Sequence, residues 1–251
     1  MPDALRLAIG TLTRLPVPAP RTVSGSTAAW AMSLAPVIGA LLALVCGLPL
    51  LIDASSSVTL LLAASSIALL AFTTRAIHLD GLADTADALG SGKPAAQALE
   101  IARKSDIGPF GVIVLVLNLM LQAFAIGACA EAGHALIAFI VAVTTGRIAL
   151  TWACTSFWPA ARTDGLGSVV AGRVPLAVPI SWALVMCIGA YPLLGIAGVL
   201  AAVIGMIAAT GVLVITRHRL GGVTGDVLGC VIECTTTACL IALALLLPHL
   251  G

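Results

Sequence analysis

Charge is what this chain has least of. Only 9% of its 251 residues are Asp, Glu, Lys or Arg, 60% are hydrophobic, and mean hydropathy is +1.15. A soluble domain carries about 25% charged residues, so that class is excluded and lipid must solvate most of the chain. With a net charge of +1 and no basic stripe, nothing in it is built to bind nucleic acid. The cysteines (46, 129, 154, 187, 230, 234 and 239) form neither a Cys-x-x-Cys pair nor a Cys/His cluster. That removes a zinc site and a disulfide framework and leaves them as small packing residues. Strand-length alternation is missing too. Only helices and closed barrels satisfy every backbone group in lipid, so the fold class is all-α, a polytopic integral membrane helical bundle. A cleavable signal is also absent. Residues 4–15 are too short and too interrupted for one and read as an interfacial amphipathic helix closed by Pro16 and Pro18.

What is present is a series of apolar windows of about 20 residues, the length that crosses a hydrocarbon core. They fall near 30–52, 58–77, 110–130, 134–157, 175–194, 195–215 and 227–248, about seven spans in one domain over 1–251. The two that abut near 195 leave six or eight open. Lys and Arg gather in the N-terminal segment and the second, fourth and sixth loops; the other loops have none, and only Arg147 lies within a span. This one-sided distribution predicts a cytoplasmic N-terminus and cytoplasmic motif loops.

The few acids are not scattered. Ile77-His78-Leu79-Asp80-Gly81-Leu82-Ala83-Asp84-Thr85-Ala86-Asp87 sets three carboxylates at i, i+4 and i+7, one face of a helix at the mouth of a span. Asp80 to Asp87 covers about 10 Å of helix. Carboxylates that close repel unless a cation lies between them, and hard oxygen ligands point to Mg²⁺ and phosphate chemistry. The bland alternative is a solvated helix start whose acids complement the dipole. The second constellation runs from Leu220 through Gly221, Gly222, Thr224, Gly225 and Asp226 to Glu233. Clustered glycines before a helix let a phosphate approach backbone N–H groups, although they also suit a tight turn between helices. Asp226 and Glu233 share a helix face. A carboxylate inside a span costs about 2.5–3.5 kcal/mol, so Glu233 needs a ligand, a charge partner or a hydrogen bond.

The cations complete the picture. Arg147 must pair with a buried acid or with phosphate. Arg103, Ser105 and Gly108 have the look of a phosphate-facing turn at a helix start. Arg219, with Arg217, is either a substrate contact or a topological anchor, and His78 is either an interfacial side chain or a proton carrier.

In order along nearly the whole chain, Thr13 to Pro18, His78 to Asp87, Arg103 to Gly111, Gly146-Arg147, Asp164 to Gly167 and Leu220 to Glu233 resemble the cobalamin synthase family. Lys104 stands where that family tends to carry Asp, and Cys230 where it carries Ala. The resemblance implies a transferase of a bacterial cytoplasmic membrane. It would join adenosylcobinamide-GDP to α-ribazole or its 5′-phosphate and release GMP with Mg²⁺ as cofactor. On that reading Asp80, Asp84, Asp87, Asp226 and Glu233 hold metal, and Asp87 or Glu233 acts as base, with His78 near the proton transfer. Arg103, Ser105, Gly108, Arg147, Arg219, Gly221, Gly222, Thr224 and Gly225 contact substrate. Oligomeric state is unreadable. A CDP-alcohol phosphotransferase also carries an Asp-Gly-rich motif on membrane helices, but Ala83-Asp84 stands where that motif has Ala-Arg. A transporter would place polar residues at the midplane of several spans, and here they collect at one side.

Overall fold

In the computed structural model, which describes residues 1–104 and 106–250, the chain is a bundle of helices with no strand among the described residues. The interfacial helix is α1 (Asp3–Leu12). Then come α2 (Gly25–Ser33), capped by the Ser24 hydroxyl, and α3 (Ala35–Cys46), which continues it into one apolar 22-residue segment. After α4 (Ser56–Thr73) follow α5 (Ile77–Gly90) and the short α6 (Ala95–Ile101). The remaining elements are α7 (Pro109–Glu131), α8 (Ala135–Ala153), the short α9 (Gly165–Val170), α10 (Ala177–Leu220) and α11 (Gly225–Leu250).

Five of these segments are long and apolar enough to cross a membrane, or six with the bent α4–α5 pair. The 44-residue α10 is one of the five, yet at about 1.5 Å per residue it would be twice the membrane thickness. It is broken at Gly195 (φ 60°, ψ −154°), just after Pro192, and its halves fold back side by side. Counting the halves separately gives the seven passes that the hydropathy windows predicted, with the division at the predicted place.

The α4–α5 junction differs from expectation. The second apolar window does not run on to residue 77; α4 stops at Thr73, and the chain turns by 90° into α5. The turn is made by Arg75 (φ 56°) and Ala76 (φ 54°), two non-glycine residues in the left-handed region, each at a cost of about 1–3 kcal/mol. The segment around α1 clasps the bend. Arg14 N–H donates to the Thr73 carbonyl (2.6 Å), Arg75 donates to the Gly10 carbonyl (2.9 Å), and the Arg14 guanidinium lies 4.4 Å over the Phe72 ring. As a result α5 does not continue α4 but is laid into one end of the bundle.

The core is built on α8 and α11, which are apolar on almost every face and buried against α3, α5, α7 and α10. Leu12, Met32, Leu150, Trp158 and Leu228 pack at the end where α1, α5, α6 and α9 gather, the polar end. Phe139, Ile126, Leu194, Leu240 and Leu243 pack at the other.

Candidate active site

Two small residues bring the acidic helix onto α11. A Cβ on Gly81 would lie 2.6 Å from the Asp226 carbonyl oxygen, and one on Gly229 would lie 3.0 Å from the His78 Cα. Only hydrogen at these positions allows the backbones so close, and Asp226 thereby joins the acids of α5. Along α5 exposure falls from Asp80, which is open, through half-buried Asp84 to buried Asp87. Asp84 feels three like charges. Its carboxyl is pushed up to about 7, first by burial and then by Asp80, Asp226 and Asp87, with Arg162 partly offsetting them. Arg162 lies 3.8 Å from Asp226 and donates to the Leu99 carbonyl (3.0 Å). Asp226 also lies within the field of Asp80 and Arg103. Thr224 caps α11, accepting from Val227 N–H (3.2 Å) while its hydroxyl donates to Asp226 (3.2 Å).

Asp80, Asp84 and Asp226 are therefore brought together, and Asp87 is not one of them. Its oxygens accept from the backbone N–H groups of Gly108 (2.7 Å) and Gly111 (2.9 Å), the first turn of α7. A carboxylate at a helix N-terminus satisfies unpaired donors and meets the positive end of the dipole. Asp87 therefore has a structural role, closing the start of α7, that the sequence did not suggest. The anion at that helix start is Asp87 itself, and Gly108 is small because the Asp87 carboxylate fills the space beside it. Ser105 lies outside the described residues. Arg103 is turned to Asp164, which accepts two bonds from its Nη2 (2.7 and 2.5 Å) at the exposed rim.

Glu233 is likewise separate from the acids at the surface. It is buried and accepts from Gln122 (3.0 Å) and Asn118 (3.4 Å) of α7. Gln122 also donates to Thr237 (3.0 Å), whose hydroxyl donates to the Asn118 carbonyl oxygen (2.6 Å). Arg147, buried on α8, is the cation whose field reaches Glu233. Arg147 donates to Nδ1 of His78 (3.3 Å), which places the imidazole proton on Nε2, buried without a partner among the described residues. Glu233 thus belongs to an internal network that ties α5, α7, α8 and α11 together beneath the acidic group. The network gives Glu233 and Arg147 buried polar partners inside the bundle.

The glycine cluster has a local cause as well. Gly221 ends α10 in the left-handed region (φ 90°). Gly222 presses on the Pro159 carbonyl, in a turn where Val223 N–H donates to Pro159 (2.8 Å) and Ala161 N–H to Val223 (2.9 Å). These glycines let two loops dock, and Gly225 opens α11 beside Leu166. Arg219 is exposed on the last turn of α10. Sequence reasoning missed Arg162, counted only as a topological marker, and the amides Asn118 and Gln122. The signal for the amides was available: they are i, i+4 polar residues inside an apolar span.

A site for Mg²⁺ can be tested on this geometry. Among the described residues no three Asp, Glu, His or Cys side chains close a metal cage. Mg²⁺, however, is usually held by one or two carboxylates together with water and substrate phosphate. Burial and neighbouring like charges disfavour the charged form of Asp84, a setting that a cation would relieve, and Asp80, Asp84 and Asp226 are the carboxylates that would face it.

Fold and site define a multi-pass membrane protein with an acidic centre at one end of its bundle. Residues 4–244 match the cobalamin-5-phosphate synthase family, and the chain belongs to that family. It is 37% identical to an adenosylcobinamide-GDP ribazoletransferase of Frankia casuarinae, over 97% of this chain and 95% of that protein. Proteins of the same description from Nocardioides sp. (36% identical, 97% and 99% covered) and Pseudomonas aeruginosa PAO1 (34%, 98% and 100%) are similar throughout. No solved structure matches the chain. The protein is a membrane transferase of cobalamin biosynthesis.

Proposed function

We propose that the protein joins adenosylcobinamide-GDP to α-ribazole, or its 5′-phosphate, with Mg²⁺, at a centre formed by Asp80, Asp84 and Asp226. The observation that carries this reading is the convergence of three carboxylates from α5 and α11 at the polar end, with Arg162 and Arg103 beside them. A ribose hydroxyl attacks the phosphorus on the corrinoid side of the pyrophosphate. The new P–O bond forms as the bridging P–O bond breaks, and GMP leaves with the electron pair. The hydroxyl proton passes to a carboxylate of the group; Asp80 is the one open to solvent, while Asp87 and Glu233 are engaged elsewhere. Mg²⁺, when bound, supplies charge neutralisation at the pyrophosphate oxygens. The rest is positioning and electrostatics, as phosphoryl transfer requires. Arg162 and Arg103 approach the same oxygens from the rim, with Arg103 exchanging Asp164 for phosphate. The positive-inside distribution supports a reading in which this end faces the cytoplasm across a bacterial inner membrane.

The test is GMP release by purified protein given adenosylcobinamide-GDP, with each acceptor in turn, in Mg²⁺ or in EDTA. Release that needs both acceptor and Mg²⁺ supports the reading. Equal release without acceptor, or in EDTA, overturns it.

A further inference from the structure

Between the two halves of α10 and the flank of α8 lies a groove of about 790 Å³, lined almost wholly by apolar side chains. It begins in mid-bundle at Met186 and Val203 and ends at Pro179, Ile215 and Trp152, toward the polar end. Val203 to Ile215 is about 18 Å of helix, close to half of a hydrocarbon core of about 30 Å. Beyond Val203 the hairpin is shut, with Gly198 packed on Ala190. The two halves are therefore splayed over one leaflet only.

The mouth differs in character. The Trp152 indole N–H is buried and unpartnered among the described residues. The Phe157 ring lies tilted 5.4 Å from Trp152, and Arg217 donates one bond to the Phe157 carbonyl (3.0 Å) while its side chain remains exposed. An aromatic ring and a guanidinium at the edge of an apolar slot match the interface between acyl chain and phosphate.

We propose that this groove is a specific site for one acyl chain of a phospholipid from the leaflet at the polar end, its phosphate held by Arg217. The length decides the occupant. A helix from a second copy or another protein would need a face of the full membrane depth, whereas a single chain from one leaflet fills about half of it. Water is excluded by the lining. The lipid wedges open a hairpin whose far end is Leu220, four residues before Thr224 and the start of α11, so its presence steadies the loop that carries Asp226. That the leaflet is the cytoplasmic one rests on the orientation proposed above; the site itself does not.

A Cβ on Gly211, inside the groove, or on Gly189, outside it, meets nothing within 4 Å. Gly211→Trp therefore fills the slot, and Gly189→Trp is its control. Native mass spectrometry after an identical detergent wash should find one phospholipid on wild type and on Gly189→Trp, and none on Gly211→Trp. Should Gly211→Trp fold poorly, Arg217→Gln decides through an exposed side chain, with retention of anionic phospholipid falling about fivefold. No lipid on the washed wild type, equal lipid on Gly211→Trp, or unchanged retention in Arg217→Gln overturns the proposal. So does a wild-type dimer that cross-links through the groove. Lipid retention is read without turnover, so failure here is distinct from failure of the proposed reaction.

Discussion

Asp87 offers the sharpest separation between a structural and a chemical role. Asp87→Ala leaves the Gly108 and Gly111 N–H groups without an acceptor, each worth about 1–3 kcal/mol when buried. It also removes a negative charge from a helix N-terminus, worth about 0.3–1 kcal/mol. Water reaches the first turn of α7 more easily than the middle, so a total near 2–4 kcal/mol is expected. At about 2–4 °C per kcal/mol for a chain of this size, the midpoint of thermal unfolding in detergent falls by roughly 5–15 °C. Asp87→Asn keeps one acceptor oxygen and turns an NH₂ group toward a backbone donor, so it should lose about half as much. Intrinsic fluorescence or dye-based melting gives the stability, and GMP release at low temperature gives the activity. On the capping account, the Asn variant melts early but retains at least about one tenth of wild-type turnover once assayed well below its midpoint. Turnover abolished in an Asp87→Asn variant that melts with the wild type would refute capping and restore Asp87 to the chemistry.

Asp84→Asn should show the opposite pattern. It removes one of three crowded charges, so the metal-free protein should melt no lower than wild type, while turnover falls at least about 100-fold. Gly81→Val, with its Cβ 2.6 Å from the Asp226 carbonyl, should lose activity and stability together, as melting and turnover would record in parallel. Glu233→Ala and Glu233→Gln both leave buried Arg147 without a compensating negative charge and should each cost about 3–5 kcal/mol, the Gln variant, which keeps an acceptor for Gln122 and Asn118, at the lower end of that range in melting experiments. For orientation, a cysteine at Lys93 should resist a membrane-impermeant thiol reagent applied to intact cells, and one at Asp53 should react.

Most of the fold was legible because hydropathy and length are direct readings of what lipid demands. The split at 195 could be seen in two abutting apolar windows, and Gly195 after Pro192 supplies the break. The bend at Arg75–Ala76 could not be seen, since it depends on non-glycine residues held left-handed by contacts with Gly10 and Arg14, more than 60 residues away in sequence. At the site, periodicity correctly put Asp80, Asp84 and Asp87 on one helix, whereas only the family resemblance grouped Asp226 with them. A face is not a destination, however. Which acid stays in the open group and which meets a helix end is decided by α7 packing its first turn onto Asp87, a tertiary fact with no local signature. The same holds for Glu233: its partners Asn118 and Gln122 lie more than 100 residues earlier in the chain.

The central claim is that Asp80, Asp84 and Asp226 together run an Mg²⁺-dependent transfer. The most direct measurement is single-turnover GMP release from adenosylcobinamide-GDP and α-ribazole by wild type, Asp84→Asn and Asp226→Asn, titrated with Mg²⁺, with melting checked on the same samples. The account predicts that both variants remain folded, lose at least about 100-fold in rate and require more Mg²⁺ for what remains. Wild-type rates in a folded Asp84→Asn or Asp226→Asn protein, at unchanged Mg²⁺ dependence, would contradict it.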